Sequence, residues 1–471
     1  MTQIHRIGRL LILGTVFFAF VDSRPTTAQT PADNVPTFSK DIVPILQRSC
    51  QKCHRPDSLA PMSLITYDEV RPWARSIKNR TALRDKPGVM PPWYIEKDIG
   101  IQAFKNDWSL SDDEIAKIAR WADNGTPRGN PADMPQPLAF IDVDEWELGP
   151  PDLIVSSNSF EIKGRAPDWW GNLGLVDSGL TEDRYVSGIE YKEVTNLPRG
   201  VKSDTVGGLF VVHHSALAVF DPDGDDDPRQ ASSWPVHEVG RNSDVFDAEA
   251  GRLMKADSKV SFFSSHLHAN GIDTEGRLDI GFYFHPKGYE PTKKMELLFF
   301  GNGPDLDIRP MENDQQAHAY FTLPENTKIS VFEPHMHAPG VRMCLEAVWG
   351  TTVQTLNCAG YDHNWVRVYK YADDAAPLLP KGTILHLTGY FNNSPSNPNV
   401  PDPRNWSGSG HRSVDNMFIN LMQAVYLDDE EFAGAVAERE AMLESKGGLD
   451  IGCVLCGLED ESETAGGNSN N

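Results

Sequence analysis

The sequence predicts a multidomain protein in which a small all-α domain precedes two all-β domains, each an antiparallel jelly roll or β-sandwich. Three observations lead to this prediction. Capped helical patterns occupy residues 36–128, and the stretch 127–137 has the proline-rich composition of a linker. The next three hundred residues or so consist of short apolar runs between Gly, Pro, Asn and Asp turns. That length exceeds one sandwich and therefore indicates two.

The N-terminus has the pattern of a secretory signal peptide. Arg6 and Arg9 precede the apolar run Leu10–Val21, and Ala28 ends a small-residue exit where cleavage is expected. The run is short for a membrane span, and no later segment reaches about 18 apolar residues. A retained N-terminal anchor is the alternative. We expect a periplasmic or secreted protein without an integral membrane segment after cleavage.

The chain is expected to divide into five segments: signal peptide, helical domain, two β-domains and a tail with a disordered acidic end, at 1–28, 35–135, 150–302, 303–440 and 441–471. Within the helical domain, Ser39 is expected to cap a helix through Ile42–Leu46. Ser111–Glu114 reads as a capping box for a second helix, and Gly125 as its stop.

The first of these helices runs into Cys50-Gln51-Lys52-Cys53-His54, a C-x-x-C-H motif typical of covalent c-type haem attachment. Two thiols one helical turn apart can add to the two vinyl groups of one porphyrin, and His54 then lies beneath the iron. A chance motif, or a zinc or disulfide CxxC that precedes a histidine, is the alternative. The motif predicts one haem c, redox work, and a cytochrome c-like fold for the helical domain.

The sixth ligand of this haem is open. Met90, held by Pro91 and Pro92, is the preferred candidate because a thioether raises the haem potential. Met62 and a five-coordinate iron are the alternatives.

The expected β-domains contain five clear strand patterns, each bounded by turn residues. They are Gly208–Phe220, Val260–Ser264, Leu278–Phe284, Lys328–Phe332 and Thr383–Phe391.

The six cysteines indicate an oxidising compartment. Pairing Cys344 with Cys358 and Cys453 with Cys456 would leave no odd thiol beside the haem motif, although the sequence alone leaves the connectivity open. The formal net charge of −24 argues against nucleic acid or an anionic membrane as a partner.

Histidines cluster in the β-rich part. In His335-Met336-His337 the two imidazoles are two residues apart, so on a strand they face the same side and can converge on one metal. The adjacent His213 and His214 can do so only at a bulge or a strand end. His266-Leu267-His268 repeats the first spacing, and His285 lies near the end of a later strand.

The order of these motifs resembles the copper type II, ascorbate-dependent monooxygenases, the family of the peptidylglycine and dopamine monooxygenases. The resemblance covers roughly Pro151 to Tyr426 and is carried by Val212–Leu217, Ser265-His266, Pro334–Gly340 and Asp415–Met417. Upstream, the chain looks like the cytochrome domain fused to bacterial members of that family, through Thr37–Ile42, Cys50–His54, Ala60–Leu64 and Met90–Trp93.

The resemblance implies two copper sites, one in each β-domain. The electron-storing site would be formed by His213, His214 and His266. The site of oxygen binding and C–H attack would be formed by His335, His337 and Met417. Ligand chemistry agrees, because a thioether favours Cu(I) and suits neither zinc nor magnesium.

Four residues leave this assignment open in part. The family usually has an acidic residue where this chain has Asn416, and Met422 is a second methionine near the expected ligand. His268 and His285 are additional imidazoles that could compete with His266, line the cleft or cap strands.

The function expected from the sequence is that of an exported haem- and copper-dependent monooxygenase, which hydroxylates an organic C–H bond with O2. Its partners would be a small organic substrate and an external electron donor, either an ascorbate-like reductant or a redox protein, with the haem relaying electrons to copper. The alternatives are a non-catalytic periplasmic electron-transfer or copper-binding protein, and a copper oxidase or reductase acting on a small inorganic species.

Overall fold

The computed structural model describes residues 35–446 and 451–456, except for 59, 143, 199, 202–208, 224–231, 407 and 413–414. The predicted signal peptide at 1–28 and the acidic end of the tail lie outside the described residues. Within the described part, no helix combines the length and the apolar character needed to cross a membrane.

Of the five α-helices among the described residues, four belong to the N-terminal region. The helices are α1 (Val43–Ser49), which continues a π-helical turn at Phe38–Ile42, α2 (Tyr67–Val70), α3 (Ala74–Thr81), α4 (Asp112–Asp123) and α5 (Asp429–Lys446). The first four surround a hydrophobic cluster of their own that includes Phe38, Leu46, Ile118 and Trp121.

The capping prediction for α4 is confirmed. The Ser111 and Glu114 side chains bond reciprocally to each other's backbone N–H groups, and Gly125 follows the helix with φ +79°. The prediction for Ser39 is wrong. The first helical turn begins at Phe38, so Ser39 lies inside it, and its hydroxyl donates to the carbonyl oxygen of Arg128 at 2.9 Å.

Antiparallel strands make up most of the rest. The first twelve are β1 (Ile95–Gly100), β2 (Leu153–Ser156), β3 (Phe160–Ile162), β4 (Trp169–Gly171), β5 (Leu175–Asp177), β6 (Arg184–Thr195), β7 (Val212–Phe220), β8 (Ser232–Glu238), β9 (Ser243–Val245), β10 (Ala250–Met254), β11 (Lys259–Leu267) and β12 (Thr274–Phe284). The others are β13 (Lys293–Gly301), β14 (Glu312–Thr322), β15 (Asn326–Phe332), β16 (Pro334–Met336), β17 (Gly340–Trp349), β18 (Thr352–Gly360), β19 (Tyr369–Lys370), β20 (Leu378–Leu379), β21 (Ile384–Asn393) and β22 (Phe418–Leu427). All five predicted strand patterns contain a strand among the described residues. In Gly208–Phe220 the strand begins at Val212, and Gly208 lies outside the described residues.

In the described residues these strands form three sheets. The outer sheet has the order β1-β18-β17-β21-β14, and the histidine sheet the order β4-β11-β7-β8 with β5 on β11. Between them runs a shared sheet of 12 strands, whose central path is β19-β15-β22-β13-β10-β6-β12-β2. Its two halves join through the parallel pairing of β10 with β13, which aligns Ala250 with Lys293.

The shared sheet carries a hydrophobic core on each half. Leu345, Leu356 and Leu385 of the outer sheet pack with Phe332 and Met422 of the shared sheet in one core. The other core joins Leu217 and Phe262 of the histidine sheet to Ile189 and Ile280 of the shared sheet. The outer sheet packs on one half of the shared sheet and the histidine sheet on the other. Two β-sandwich-like units therefore have one continuous sheet in common.

A strand that the sequence did not predict ties the helical region to the outer sheet. β1 lies within the residues expected to be all helical, and it pairs with β18 through Ile95 opposite Ala359 and Gly100 opposite Asn357. Residues from Pro36 onward accordingly form one compact unit by their contacts.

Two disulfides connect the four cysteines outside the haem motif. Cys344 on β17 bonds to Cys358 on β18, and Cys453 bonds to Cys456. The described part of the predicted tail is anchored, because Val454 reaches the core under the outer sheet.

Candidate metal and haem sites

Two β-bulges bring His213, His214 and His266 together. On β11, Ser264 and Ser265 stand opposite the single residue Ser215 of β7, and Ser264 has a φ of +47°. One residue pair further, His266 is opposite His214 but Leu267 is opposite Val212, so His213 is the extra residue on β7. A bulge turns both adjacent histidines toward one side.

One ring nitrogen of each of the three histidines lies close to the corresponding nitrogens of the other two. These three nitrogens lie within 4.8 Å of one another. The predicted convergence of His213, His214 and His266 is therefore confirmed as geometry. Buried Nδ1 atoms of His213 and His266 have no hydrogen-bond partner among the described residues, which is the condition expected of nitrogens reserved for an ion.

His266 is held by two residues at β4, Asp168 just before the strand and Trp170 within it. Its Nε2 lies 3.0 Å from the Asp168 carboxylate, and its ring stacks on Trp170 with a centroid distance of 4.7 Å. A histidine whose one nitrogen bonds a carboxylate presents the other nitrogen, here Nδ1, in a defined direction.

The three imidazoles are neutral in this environment. Burial is the main cause that lowers the pKa of His213 and His214 well below the usual value, and each is further lowered by neighbouring histidines. Burial also lowers the pKa of His266, although Asp168 opposes it. Neutral imidazoles are the form that binds metal ions.

His335 and His337 lie beside each other where β16 pairs with β22, with their ring centroids 5.7 Å apart. The ladder sets His335 opposite Ile419 and Met336 opposite Phe418. Met417, the third residue of the predicted set, is half-buried and directly precedes β22, which begins at Phe418 opposite Met336. The His337 Nδ1–H donates to the Asp415 carbonyl oxygen at 3.0 Å, which leaves Nε2 for a ligand.

A buried polar network supports His335 from the histidine sheet. Its Nδ1 lies 2.8 Å from the Glu238 carboxylate of β8. Arg241 pairs with Asp244 at 3.0 Å and also with Glu333, next to β16. Burial alone would raise the pKa of Glu238, but the charges of His335 and Arg241 outweigh it and lower that pKa. The network places a carboxylate beside the His335 ring and ties β8 to the shared sheet.

His363 joins the two histidine sets, and sequence reasoning missed it. Its ring centroid lies 6.1 Å from that of His213 and 5.8 Å from that of His337. Burial lowers the pKa of His363 to about 4, and its Nδ1 has no hydrogen-bond partner among the described residues. A lone histidine before Asn364 carries no spacing signal, so only the fold reveals this position.

The ambiguous residues are now placed. His268 stays at the edge of the first set, 6.2 Å from the His213 ring, and its Nδ1–H donates to the Ala269 carbonyl. His285 lies elsewhere, with its Nε2 bonded to the Ala250 carbonyl and its ring on Tyr289. Met422 is fully buried in a hydrophobic core, whereas Met417 is half-buried.

The C-x-x-C-H motif lies directly after α1. Cys50 and Cys53 are not joined in a disulfide, and burial raises the pKa of the Cys50 thiol to about 12. The His54 Nδ1–H donates to the Met62 carbonyl at 3.2 Å, so Nε2 faces the opposite way. Met90 is 40% exposed, in a segment separate from this contact.

A cavity of about 1260 Å³ separates this motif from the β-domains. Cys53, Trp93 and Trp108 form one wall, and the linker residues Leu138–Ile141 form another. The opposite side is lined by polar side chains near the histidine cluster: His237, Arg241 and Asp244. Apolar side chains thus line an open cleft beside the Cys53 thiol, a lining that suits a porphyrin.

The sequence matches no protein-family model and has no significant match among curated proteins. The resemblance to the copper monooxygenases therefore rests on the motifs and their order.

Proposed function

We propose that this chain is an exported, haem c- and copper-dependent monooxygenase that hydroxylates an organic C–H bond with O2. The observation that carries the proposal is the trio of His213, His214 and His266, whose ligand nitrogens lie within 4.8 Å of one another. His363 lies between this trio and His337 of the second predicted set. The two disulfides and the predicted signal peptide support a periplasmic or secreted location.

Donor chemistry favours copper at both sets. Three neutral imidazoles suit copper or zinc, but His335, His337 and Met417 combine two imidazoles with a soft thioether, a set that favours Cu(I). Bound copper would supply one-electron chemistry with dioxygen.

The protein's own residues orient these ligands. Asp168 and Trp170 fix the ring of His266, the Asp415 carbonyl fixes His337, and Glu238 lies against His335. Such outer contacts are worth about 10–100-fold in metal affinity or activity.

The helical region would hold one haem c and relay electrons to copper. Cys50 and Cys53 would add their S–H groups across the two vinyl groups, and His54 would supply the nitrogen ligand that its bond to Met62 leaves available. That bond puts the Met62 backbone behind the imidazole. Met90, the preferred sixth ligand from the sequence, lines a separate and smaller pocket beside Trp93. Covalent attachment keeps the donor at high effective concentration.

Replacement of Met417 tests the proposal. In Met417→Ala, incorporation of label from ¹⁸O2 into alcohols formed from a panel of small organic substrates should fall at least tenfold, while the haem spectrum stays unchanged. Met311→Ala, at a methionine that is 52% exposed, is the matched control. Undiminished haem reoxidation in Met417→Ala, with no labelled alcohol from the wild type, would instead indicate a non-catalytic electron-transfer protein.

A further inference from the structure

Arg367 is a buried cation without a protein counter-ion. It lies just before β19 and is only 8% exposed, yet in the described part of the chain no carboxylate comes within 4.0 Å of its guanidinium. Its Nε has no hydrogen-bond partner there either. The guanidinium lies 4.3 Å from the centroid of the Trp108 ring and 5.8 Å from that of Trp93.

Such a charge is costly unless an anion accompanies it. Burial of an unpaired ion is unfavourable by several kcal/mol, and buried charges in proteins are normally paired. The aromatic rings offset only part of this cost, since a cation–π contact is weaker than the desolvation penalty of a buried ion. The position of Arg367 therefore indicates an anionic ligand that is not part of the polypeptide.

The surroundings of Arg367 indicate which anion this is. Arg367 lines the large cavity together with Cys53, the second cysteine of the haem motif. The wall formed by Leu138–Ile141 is apolar and partly exposed, and the volume of about 1260 Å³ far exceeds that of a small free anion. A porphyrin combines the two properties, since it has a large apolar ring and two carboxylates.

We propose that Arg367 binds a carboxylate of the haem attached at Cys50 and Cys53, so that the second β-domain completes the haem site. The inference rests on the proposed function, because it requires haem c. Arg367 lies far from the C-x-x-C-H motif in the sequence. Its role would be to fix the orientation of the haem against the β-rich part.

The same segment leads directly to the histidine cluster. Trp365 lines the cavity two residues before Arg367, and His363 lies two residues before that, between the two histidine sets. Trp365 is fixed against Gly240, where an added Cβ would lie 2.7 Å from the indole. A haem carboxylate bound by Arg367 would therefore place the edge of the haem next to residues 363–367. These five residues lead to the candidate copper ligands.

The test compares haem midpoint potentials in full-length, haem-loaded protein, without ascorbate or substrate. In Arg367→Gln the haem carboxylate loses its counter-ion and stabilises ferric iron. At a fixed potential the ratio of reduced to oxidised haem should fall about tenfold, equivalent to about 59 mV for one electron. The haem midpoint potential of Arg367→Lys should lie between those of the wild type and Arg367→Gln. Arg277→Gln is the matched control, because Arg277 lines the cavity but already pairs with Asp279 at 2.8 Å.

Each outcome bears on the inference. An unchanged potential in Arg367→Gln with covalent haem present would overturn it, and loss of ascorbate binding in that variant would then assign the site to a free anion. Loss of haem attachment in Arg367→Gln but not in Arg367→Lys would support it. A pyridine haemochrome assay that finds no haem c in the wild type would instead defeat the proposed function itself.

Discussion

At the scale of single residues, the candidate copper ligands depend on side chains that the motifs do not contain. Asp168 is the clearest case, because it holds His266 from a loop nearly one hundred positions earlier in the chain. The i, i+2 spacing of His335 and His337 could be read from the sequence, and so could the need for a bulge at His213. The supporting roles of Asp168, Glu238 and His363 could not, because each depends on a contact between distant segments.

Removal of Asp168 should weaken the three-histidine site. In Asp168→Ala the Nε2 of His266 loses its carboxylate, so the ring is no longer held with Nδ1 toward His213. We expect Cu(I) affinity at this site to fall about 10–100-fold, measured by competition with a Cu(I) chelator. Asp177→Ala, at an exposed aspartate of the same sheet, serves as control. Equal affinities in the two variants would contradict the assigned role of Asp168.

At the scale of elements, the strands of the β-domains were predictable and the junction with the helical region was not. Runs such as Val260–Ser264 alternate or cluster apolar residues between turn signals, and they form strands. The segment Ile95–Gly100 reads Ile-Glu-Lys-Asp-Ile-Gly, with three consecutive charged residues between two isoleucines, and it has no strand pattern of its own. It becomes a strand because β18 offers an edge, which no local pattern encodes.

Gly100 makes this junction testable. Its φ is +67°, and an added Cβ would lie 2.1 Å from the Leu356 carbonyl oxygen. Gly100→Ala should therefore force β1 away from β18. The free energy of unfolding should fall by more than the roughly 1–2 kcal/mol expected from the left-handed backbone alone. Gly179→Ala isolates that backbone cost, because Gly179 has a φ of +73° and no atom within 4 Å of an added Cβ. In urea unfolding, equal losses of stability in both variants would show that the contact with β18 contributes nothing.

At the scale of the whole molecule, the histidine cluster lies between the histidine sheet and the shared sheet, with the haem motif across the cavity. The sequence predicted separate domains with one metal site each. The shared 12-stranded sheet and His363 instead bring the two sets close together, because strand pairing between distant segments decides their distance.

Stability of the metal-free protein should fall as the pH drops below about 6.5. Burial lowers the pKa of His237 and His363 to about 4, so between these pH values the unfolded chain takes up protons that the folded chain does not. Each such histidine contributes about 1.4 kcal/mol of lost unfolding free energy per pH unit. The free energy of unfolding, measured with urea at several pH values, should depend less steeply on pH in His363→Phe than in the wild type, by the equivalent of about one proton. His285→Phe, outside the cluster, serves as control. An unchanged slope in His363→Phe would contradict this view.

The metal and haem content of the purified full-length protein tests the central claim most directly. After expression with haem c maturation and copper supply, elemental analysis and the haemochrome assay should give two coppers and one covalent haem per chain. His266→Ala should lose one copper and keep the haem, since its imidazole completes only the first set. Zinc in place of copper, or no bound metal in the wild type, would contradict the account.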